Sequence, residues 1–225
     1  MRMRNIIIIS FFSFFFCHIY NVKLIAEDGW IFQKNQDGIE VYTRDLPGSD
    51  YKEFKGTMYL SGARLSSLVA AFDDTSSYTK WMHNCKEAKL LKQYNPRDRY
   101  TYTVTHAPFP VKDRDLIVFS HISQNQKDLT VTIEITGKSD YISPKKNRVR
   151  IPRMNALWTF KPLNSGVVMV VYQTANDPGG WLPLSLINLS MIDLPFLTML
   201  KFKDIVKDTK YATAKFQVIK EPRIN

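Results

Sequence analysis

The alternation of apolar and polar positions divides the first third of the chain into short strands and helices. Ile39–Arg44 and Tyr51–Gly62 alternate with a period of two, which is typical of half-buried strands, and the PGSD turn between them predicts an antiparallel hairpin. We interpret the preceding Trp30–Phe32 as the end of a helix. Ala63–Phe72 changes to the helical spacing of apolar residues, and Ser77–Met82 begins a second short helix.

The middle of the chain, from Cys85 onward, is predicted to be almost entirely strand. The turn sequences NPRD, NQKD and NSG separate its segments. The predicted strands are Ala88–Tyr94, Arg99–His106, Asp115–Ser123, Leu129–Gly137, Arg148–Arg153, Leu157–Pro162 and Val167–Thr174. Strands and helices segregated in this way indicate an α+β fold, in which a curved antiparallel sheet has an apolar face that another element must cover.

The last fifth of the chain supplies that cover as one long amphipathic helix. The sequence DPGGWLP, at Asp177–Pro183, ends a strand and starts a helix that continues to Tyr211 and bends at Pro195. Its apolar face contains Met191, Phe196, Met199, Phe202, Ile205 and Val206. Its polar arc contains Ser190, Asp193, Lys201, Asp204, Lys207 and Asp208, together with the misplaced Leu197 and Leu200. The polar and proline residues within it argue against a membrane span.

The N-terminal segment predicts export. A basic start precedes the apolar run Ile6–Ile19, and Ala26 offers a cleavage point, so residues 1–26 are interpreted as a secretory signal peptide and the protein as periplasmic or secreted. An uncleaved N-terminal anchor is the alternative. The remaining chain has the length of one domain, which we assign to residues 27–217, with residues 218–225 as a C-terminal tail.

Charge and motifs restrict the classes of function. The net charge of +10 suits a transient contact with an anionic membrane surface or simple solubility, and nucleic acid is a less natural partner for an exported protein. The sequence contains no GxGxxG, GxSxG, HExxH or CxxC motif, so we expect no cofactor, no metal site and no enzyme. Cys85 is interpreted as a small buried apolar residue, although a catalytic thiol is the alternative.

Aromatic residues are spread along the predicted strands and helix ends. Each of them individually fits ordinary core packing, but together they suit the wall of a pocket in which apolar surface meets a few polar groups. These residues are Trp81, Tyr100, Tyr102, Trp158, Tyr172 and Trp181.

Several segments, in order along the chain, resemble the START family of lipid-transfer domains. They are KNQDGIEVYTR, YKEFKG, YTKWMHNCKEAKLL, PFPVKDRDLIV, RVRI, WTFKPL and NDPGGWLPLSLIN, and the likeness extends over roughly residues 28–211. The resemblance implies a helix-grip fold, in which a curved antiparallel sheet wraps around a long C-terminal helix and encloses a hydrophobic tunnel for one lipid. It also implies a lid formed by that helix and a neighbouring loop, here Lys138–Asn147.

The resemblance also implies which residues contact the lipid. The tunnel contacts would be Trp81, Tyr102, Arg114, Trp158, Tyr172, Leu186, Leu189, Phe196 and Met199. The lid and its hinge would contain Tyr141, Pro144, Gly179, Gly180, Trp181, Leu197 and Leu200. Arg114 either anchors the end of its strand or meets a polar head group, and we favour the structural role. The basic residues in and after the loop would dock it on anionic lipid, or form a solvated turn.

The chain departs from the sterol-binding members of that family at one position. Those members have a charged residue on the strand after the Arg-Asp pair, and its counterpart here is Ser120. A sterol is therefore not favoured over a phospholipid or another apolar ligand. We expect a lipid-binding or lipid-transfer protein that exchanges its ligand at membranes. The alternatives are a helix-grip enzyme, either a cyclase or a hydrolase of apolar substrates, and a ligand-sensing module.

Overall fold

The computed structural model describes residues 29–49, 51–183, 186–187 and 189–222. The signal peptide predicted for residues 1–26 lies outside this part of the chain. Among the described residues, the helices are all too short or too polar to cross a bilayer.

The described residues form one strongly curved sheet of ten strands. Its order is β1-β2-β3-β10-β9-β7-β6-β5-β4, all antiparallel, and β8 pairs in parallel with β6. The strands are β1 Ile31–Gln36, β2 Ile39–Asp45, β3 Lys52–Ser61, β4 Cys85–Gln93, β5 Asp98–Thr105, β6 Arg114–Gln124, β7 Val131–Gly137, β8 Val149–Arg150, β9 Arg153–Pro162 and β10 Val167–Asp177. This confirms the predicted α+β helix-grip architecture.

One strand was not expected from the sequence pattern. Trp30–Phe32 was predicted as the end of a helix, but residues from Ile31 onward form β1 and pair with β2. The reason is the two-residue turn at Asp37 and Gly38, where both φ angles are positive (53° and 74°). Such a turn matches the twist of a β-hairpin and folds the chain back on itself.

Helical segments cover the concave face of the sheet. They are α1 Leu65–Asp73, a 3₁₀ turn at Thr75–Ser77, α2 Tyr78–Trp81, a π-helical turn at Leu189–Asp193, α3 Leu194–Ile205 and α4 Thr209–Ala212. The main apolar core lies between these segments and the sheet, whereas a second, smaller core around Tyr102, Val104 and Ile117 lies elsewhere. Because Tyr102 and Val104 alternate with Thr101 and Thr103 on β5, the smaller core belongs to the outer face.

The final helix is not the single long helix predicted for Leu184–Tyr211. Leu186 and Ile187 are α-helical, the π-helical turn interrupts the regular helix at Leu189–Asp193, and α3 ends at Ile205, before α4. Pro195 lies in the first turn of α3, where its missing N–H is tolerated, and the wider π-turn precedes it. Phe196, Met199 and Phe202 are buried as predicted. Met199 packs so closely on β3 that a Cβ at Gly56 would collide with its Sδ atom.

The C-terminal segment is part of the folded body. Residues from 218 were assigned to a tail, but Ile219 is buried in the main core. The Glu221 carboxylate accepts hydrogen bonds from the backbone N–H groups of Leu65 and Ser66, at 3.0 and 2.7 Å. These two groups belong to the first turn of α1, whose orphan N–H groups need acceptors. The segment after α4 therefore ties the C-terminal end of the helical layer, which we call the far end, to α1.

Candidate ligand tunnel

Three cavities follow one another between α3 and the inner face of the sheet. The inner cavity lies beside Trp81 and Trp158, and it shares Thr103, Leu116 and Tyr172 with the middle cavity. The middle and outer cavities share other lining residues, namely Thr105, Ile151, Asn176 and Leu194. The inner, middle and outer cavities have volumes of about 50, 110 and 100 Å³. Together they form an interrupted tunnel.

Five of the predicted contact residues line this tunnel. Trp81 and Trp158 are walls of the inner cavity, and Tyr172 lines both the inner and the middle cavities. The Trp158 and Tyr172 rings stack with centroids 4.2 Å apart. Arg114 and Leu186 line the outer cavity. The side chain of Leu189 lies outside the described part of the chain.

Three predicted tunnel contacts lie elsewhere. Tyr102 points to the outer face of the sheet, where its hydroxyl donates a hydrogen bond to Asp115 at 3.2 Å. Phe196 and Met199 are in the core but line none of the three cavities, and the Phe196 ring lies 3.7 Å below the Lys34 ammonium group. The face of α3 that meets the tunnel carries Leu194, Pro195 and Thr198 instead. An apolar helix face thus splits into a packed side and a tunnel side.

The predicted lid loop is not at the tunnel. Tyr141 stacks on Tyr100 with centroids 4.0 Å apart, on the outer face of β5. The carbonyls of Ser139 and Ile142 accept hydrogen bonds from Arg150, at 2.6 and 3.0 Å. Residues 138–147 are therefore fastened to the outer face. Pro144 is exposed, and Leu197 and Leu200 pack half-buried against the main core. None of these three residues lines the inner, middle or outer cavity.

The mouth of the tunnel is formed by two segments that one arginine joins. The Arg114 guanidinium donates to the carbonyl of Lys112 at 2.6 Å and to the carbonyls of Gly179 and Trp181, both at 3.4 Å. Arg114 is buried, and burial lowers its pKa. Pro108 and Leu182, which line the outer cavity, belong to these segments. Arg114 thus ties the Lys112 loop to the Gly179–Trp181 segment, and its structural role stays a prediction.

The two glycines of the predicted hinge both adopt left-handed backbone conformations. Gly179 and Gly180 both have positive φ angles, 66° and 62°. A Cβ at Gly179 would lie 3.0 Å from the carbonyl oxygen of Arg150, so the site also requires a residue without a side chain. Next to them Trp181 is 77% exposed, and on the other side of the mouth Phe109 is 97% exposed.

The polar groups of the tunnel wall are nearly all uncharged. Among the described residues, the lining of the inner cavity contains hydroxyl, indole, thioether and hydrocarbon side chains but no charged one. Burial raises the pKa of Tyr172 to about 12 and that of Cys85, which lines the middle cavity, to about 11, so both stay protonated at neutral pH. Burial lowers the pKa of His83 in the same cavity.

The sequence reasoning missed most of the hydroxyl-bearing wall. Thr101, Thr103 and Thr105 face the cavities from β5, and Thr198 faces them from α3, where its hydroxyl oxygen accepts a hydrogen bond from the His83 N–H at 3.1 Å. The alternation of TYTVT on β5 was a usable signal, since every second residue lies on the same face. Within the described residues, no group of His, Cys, Asp and Glu side chains is placed to hold a metal.

Comparisons with known proteins agree with this geometry. A family model described as the START domain matches residues 21–194. An uncharacterized protein of Pseudomonas aeruginosa is 34% identical over 176 residues, which is 78% of this chain and 85% of that protein. The crystal structure of a STAR-related lipid transfer protein fragment from Xanthomonas axonopodis is 31% identical, with a TM-score of 0.74, covering 80% of this chain and all of that one. Human STARD10, at 20% identity, has the same fold, with a TM-score of 0.71 over 82% of this chain and 76% of that one.

Proposed function

Because the chain belongs to the START domain family, we propose that it binds one lipid in the tunnel between α3 and the sheet and exchanges it at membrane surfaces. The observation that carries the proposal is the row of three adjacent cavities with a mainly apolar wall. Each buried CH₂ group of a lipid chain gains about 0.8 kcal/mol relative to water. A mainly apolar wall gives the hydrocarbon chain of the lipid surroundings similar to those that it has in a bilayer.

The surroundings of the mouth support exchange at a membrane. Phe109 and Trp181 are among the most exposed large apolar side chains of the described residues, and they flank the outer cavity. Tryptophan favours the interface between head groups and acyl chains. The exposed Lys112 lies in the same loop as Phe109 and adds a positive charge. The mouth segments, rather than the basic loop 138–147, are therefore our candidate for the docking surface.

Export from the cytoplasm remains part of the proposal. The basic start and apolar run of residues 1–26 support a periplasmic or secreted carrier. An exported protein of this family would meet the outer leaflet of one membrane and any second membrane beyond it.

The enzyme alternative has weaker support. It needs an acid–base pair or an activated nucleophile at the tunnel wall. His83 and Cys85 are two titratable side chains of the middle cavity, and burial favours the neutral form of both. A thiol with a pKa of about 11 is largely protonated at neutral pH and is a weak nucleophile.

The direct test is to identify what the purified protein carries. We expect organic extraction of the full chain, followed by mass spectrometry, to release one intact lipid per protein. Release of a hydrolysed or cyclised product, or turnover of an ester by the extracted protein, would favour the enzyme. A lipid that is held but never passed between vesicles would favour a ligand-sensing module.

The docking surface has its own test. Replacing both Phe109 and Trp181 by Ser should reduce lipid transfer between vesicles about tenfold or more, because the two aromatic anchors are lost, while the amount of bound lipid stays the same. Tyr94 is the matched control, since it is 54% exposed but lies at the end of β4, away from the mouth. Equal transfer rates for the double variant and Tyr94→Ser would rule out this docking surface.

A further inference from the structure

The inner cavity contains two buried polar atoms without a partner. The Trp81 Nε1–H group and the Thr101 hydroxyl oxygen have no hydrogen-bond partner, although the side chains are only 2% and 1% exposed. Both residues line the inner cavity. A buried donor or acceptor left unpaired is unfavourable, and such groups are rare in folded proteins. Two of them in one cavity indicate that something else supplies the missing partner.

The chemistry of the partner follows from the two groups. An indole N–H only donates, and a hydroxyl both donates and accepts. Thr103 and Ser120 add two further hydroxyls to the same wall. Oxygen with free lone pairs, as in a carbonyl or an alcohol, can accept from both Trp81 and Thr101.

A charged group does not fit this end of the tunnel. The described lining of the inner cavity has no cationic side chain to pair with a phosphate or carboxylate, and an unpaired ion is very costly to bury. Arg99 does not line the inner cavity, and its terminal nitrogens are bonded to Asp73 and to the carbonyl of Phe72, although its Nε–H has no partner. The charged part of an amphiphile must therefore remain toward the mouth.

We propose that the inner cavity is a subsite for one uncharged oxygen group of the lipid, an alcohol or a carbonyl, which accepts from Trp81 Nε1–H and pairs with the Thr101 hydroxyl. The inference rests on the proposed function, since it assumes that a lipid enters the tunnel. It assigns the ligand a class, namely lipids whose innermost part is apolar except for a neutral oxygen. Lipids that would have to bring a charged head to this end are excluded.

The test compares three small probes on the full chain. Dodecane, 1-dodecanol and dodecanoate would each displace a fluorescent apolar dye from the wild type and from the variants Trp81→Phe and Thr101→Val. We expect the preference for dodecanol over dodecane to fall about tenfold in each variant, the size expected for one lost hydrogen bond. The ratio of the affinities for dodecanoate and dodecane should not change, because both place only hydrocarbon in the inner cavity while the charged end stays at the mouth.

Controls separate the subsite from general packing. Met154→Leu changes the packing of the same cavity but removes no N–H or O–H group, so it should change the affinities for dodecane and dodecanol equally. Thr101→Val should leave the ligand-free protein at least as stable as the wild type, since it removes an unpaired buried hydroxyl. A purely structural Thr101 would instead lose stability on this substitution, which would count against the subsite.

The outcomes distinguish the subsite from the tunnel itself. If the wild type binds dodecane and dodecanol but neither variant changes their ratio, a trapped water serves both atoms and the subsite is overturned, while the proposed function stands. If none of the three probes displaces the dye, the lipid-binding function itself fails.

Discussion

The two ends of the C-terminal helical layer are built in opposite ways. At the mouth end, Gly179 and Gly180 with positive φ angles lead to the exposed Trp181, and a π-helical turn precedes α3. At the far end, the Asp74 carboxylate accepts from the Tyr211 hydroxyl at 2.6 Å and pairs with Lys210. The two segments belong to one helical layer, but the contacts that hold them differ in length. The mouth end is held by two hydrogen bonds of 3.4 Å from Arg114 and by the 3.7 Å ion pair of Lys34 with Asp193, whereas the bond from Tyr211 to Asp74 is short.

The far end is further held by the strap of residues 213–222. The Arg97 guanidinium donates to the carbonyl of Val218 at 3.1 Å, and Gln124 bonds to the backbone of Lys220 in both directions. Local opening takes place where few buried contacts must break. We therefore predict that the tunnel opens by movement at the mouth, with the far end of α3 as the fixed point.

The largest expected effect is at the fixed half of α3. Phe202 is fully buried, and its ring lies 5.0 Å from the rings of both Trp81 and Trp158. Phe202→Ala should lower the free energy of unfolding by about 3–5 kcal/mol, measured by urea denaturation. Leu194→Ala, in the mouth half, removes a half-buried side chain of the cavity wall and should cost clearly less. If the two variants lost similar amounts of unfolding free energy, both halves of α3 would be equally well packed in the core, which would contradict the difference between the two ends.

Acid should weaken the contacts of the far end. Although burial alone would raise the pKa of Asp74, hydrogen bonds from Lys210, Ser76 and Tyr211 hold it well below its usual range. A depressed carboxyl pKa contributes stability that is present above about pH 4 and is lost as the pH falls toward the folded value. Asp74→Asn should therefore cost about 2 kcal/mol at pH 7 and progressively less below pH 4.

The measurement is the difference in unfolding free energy between the wild type and Asp74→Asn across that pH range. Taking the difference removes the contributions of the other carboxyl groups. A difference that is independent of pH would show that Asp74 acts through shape rather than charge.

At the mouth, the expected effect is local. Gly179→Ala adds left-handed strain and a Cβ only 3.0 Å from the Arg150 carbonyl, together about 1–2 kcal/mol. We expect amide exchange and lipid release at the mouth to accelerate about tenfold, with little change in global unfolding. Gly62→Ala is the control, because its φ is 71° but nothing lies within 4 Å of the added Cβ. It should lower global stability and leave release unchanged. The reverse pattern would contradict a hinge at Gly179.

The smallest effect concerns an ion pair that bridges the π-helical turn to β1. Lys34 Nζ lies 3.7 Å from an Asp193 oxygen, and both side chains are partly exposed, so the pair is worth about 0.5 kcal/mol. Asp193→Asn should accelerate lipid release about twofold at low salt, and the effect should vanish near 1 M salt. An effect that persists at high salt would assign another role to Asp193.

Periodicity predicted the sheet and the buried face of α3, but it could not identify the tunnel. On β5 the bulkier Tyr102 and Val104 look like the inward residues, yet Thr101 and Thr103 face the cavities. Small side chains leave the space that a tunnel needs, while the bulky ones are covered on the outer face by Ile142 and its neighbours. The assignment of that covering loop as a lid came from the family resemblance, whereas the loop packs on the outer face of β5.

On α3 the pattern found which residues are buried but not what they are buried against. Phe196 and Met199 pack against other side chains of the main core, whereas Leu194 and Thr198 line the middle cavity. A helix that lines a tunnel and a helix that packs in a core have the same pattern of apolar residues in the sequence, because a tunnel wall and a core are equally apolar. The distinction depends on the neighbouring strands, which only the fold brings together.

Hydrogen–deuterium exchange of the full chain, with and without phospholipid vesicles, tests the opening at the mouth most directly. We predict that amides of residues 178–193 exchange at least about tenfold faster than those of residues 206–221. Vesicles should change exchange only at the mouth, in residues 106–112 and 178–193. If both ends exchange at one rate set by global unfolding, or if vesicles alter the far end instead, the tunnel does not open at the mouth.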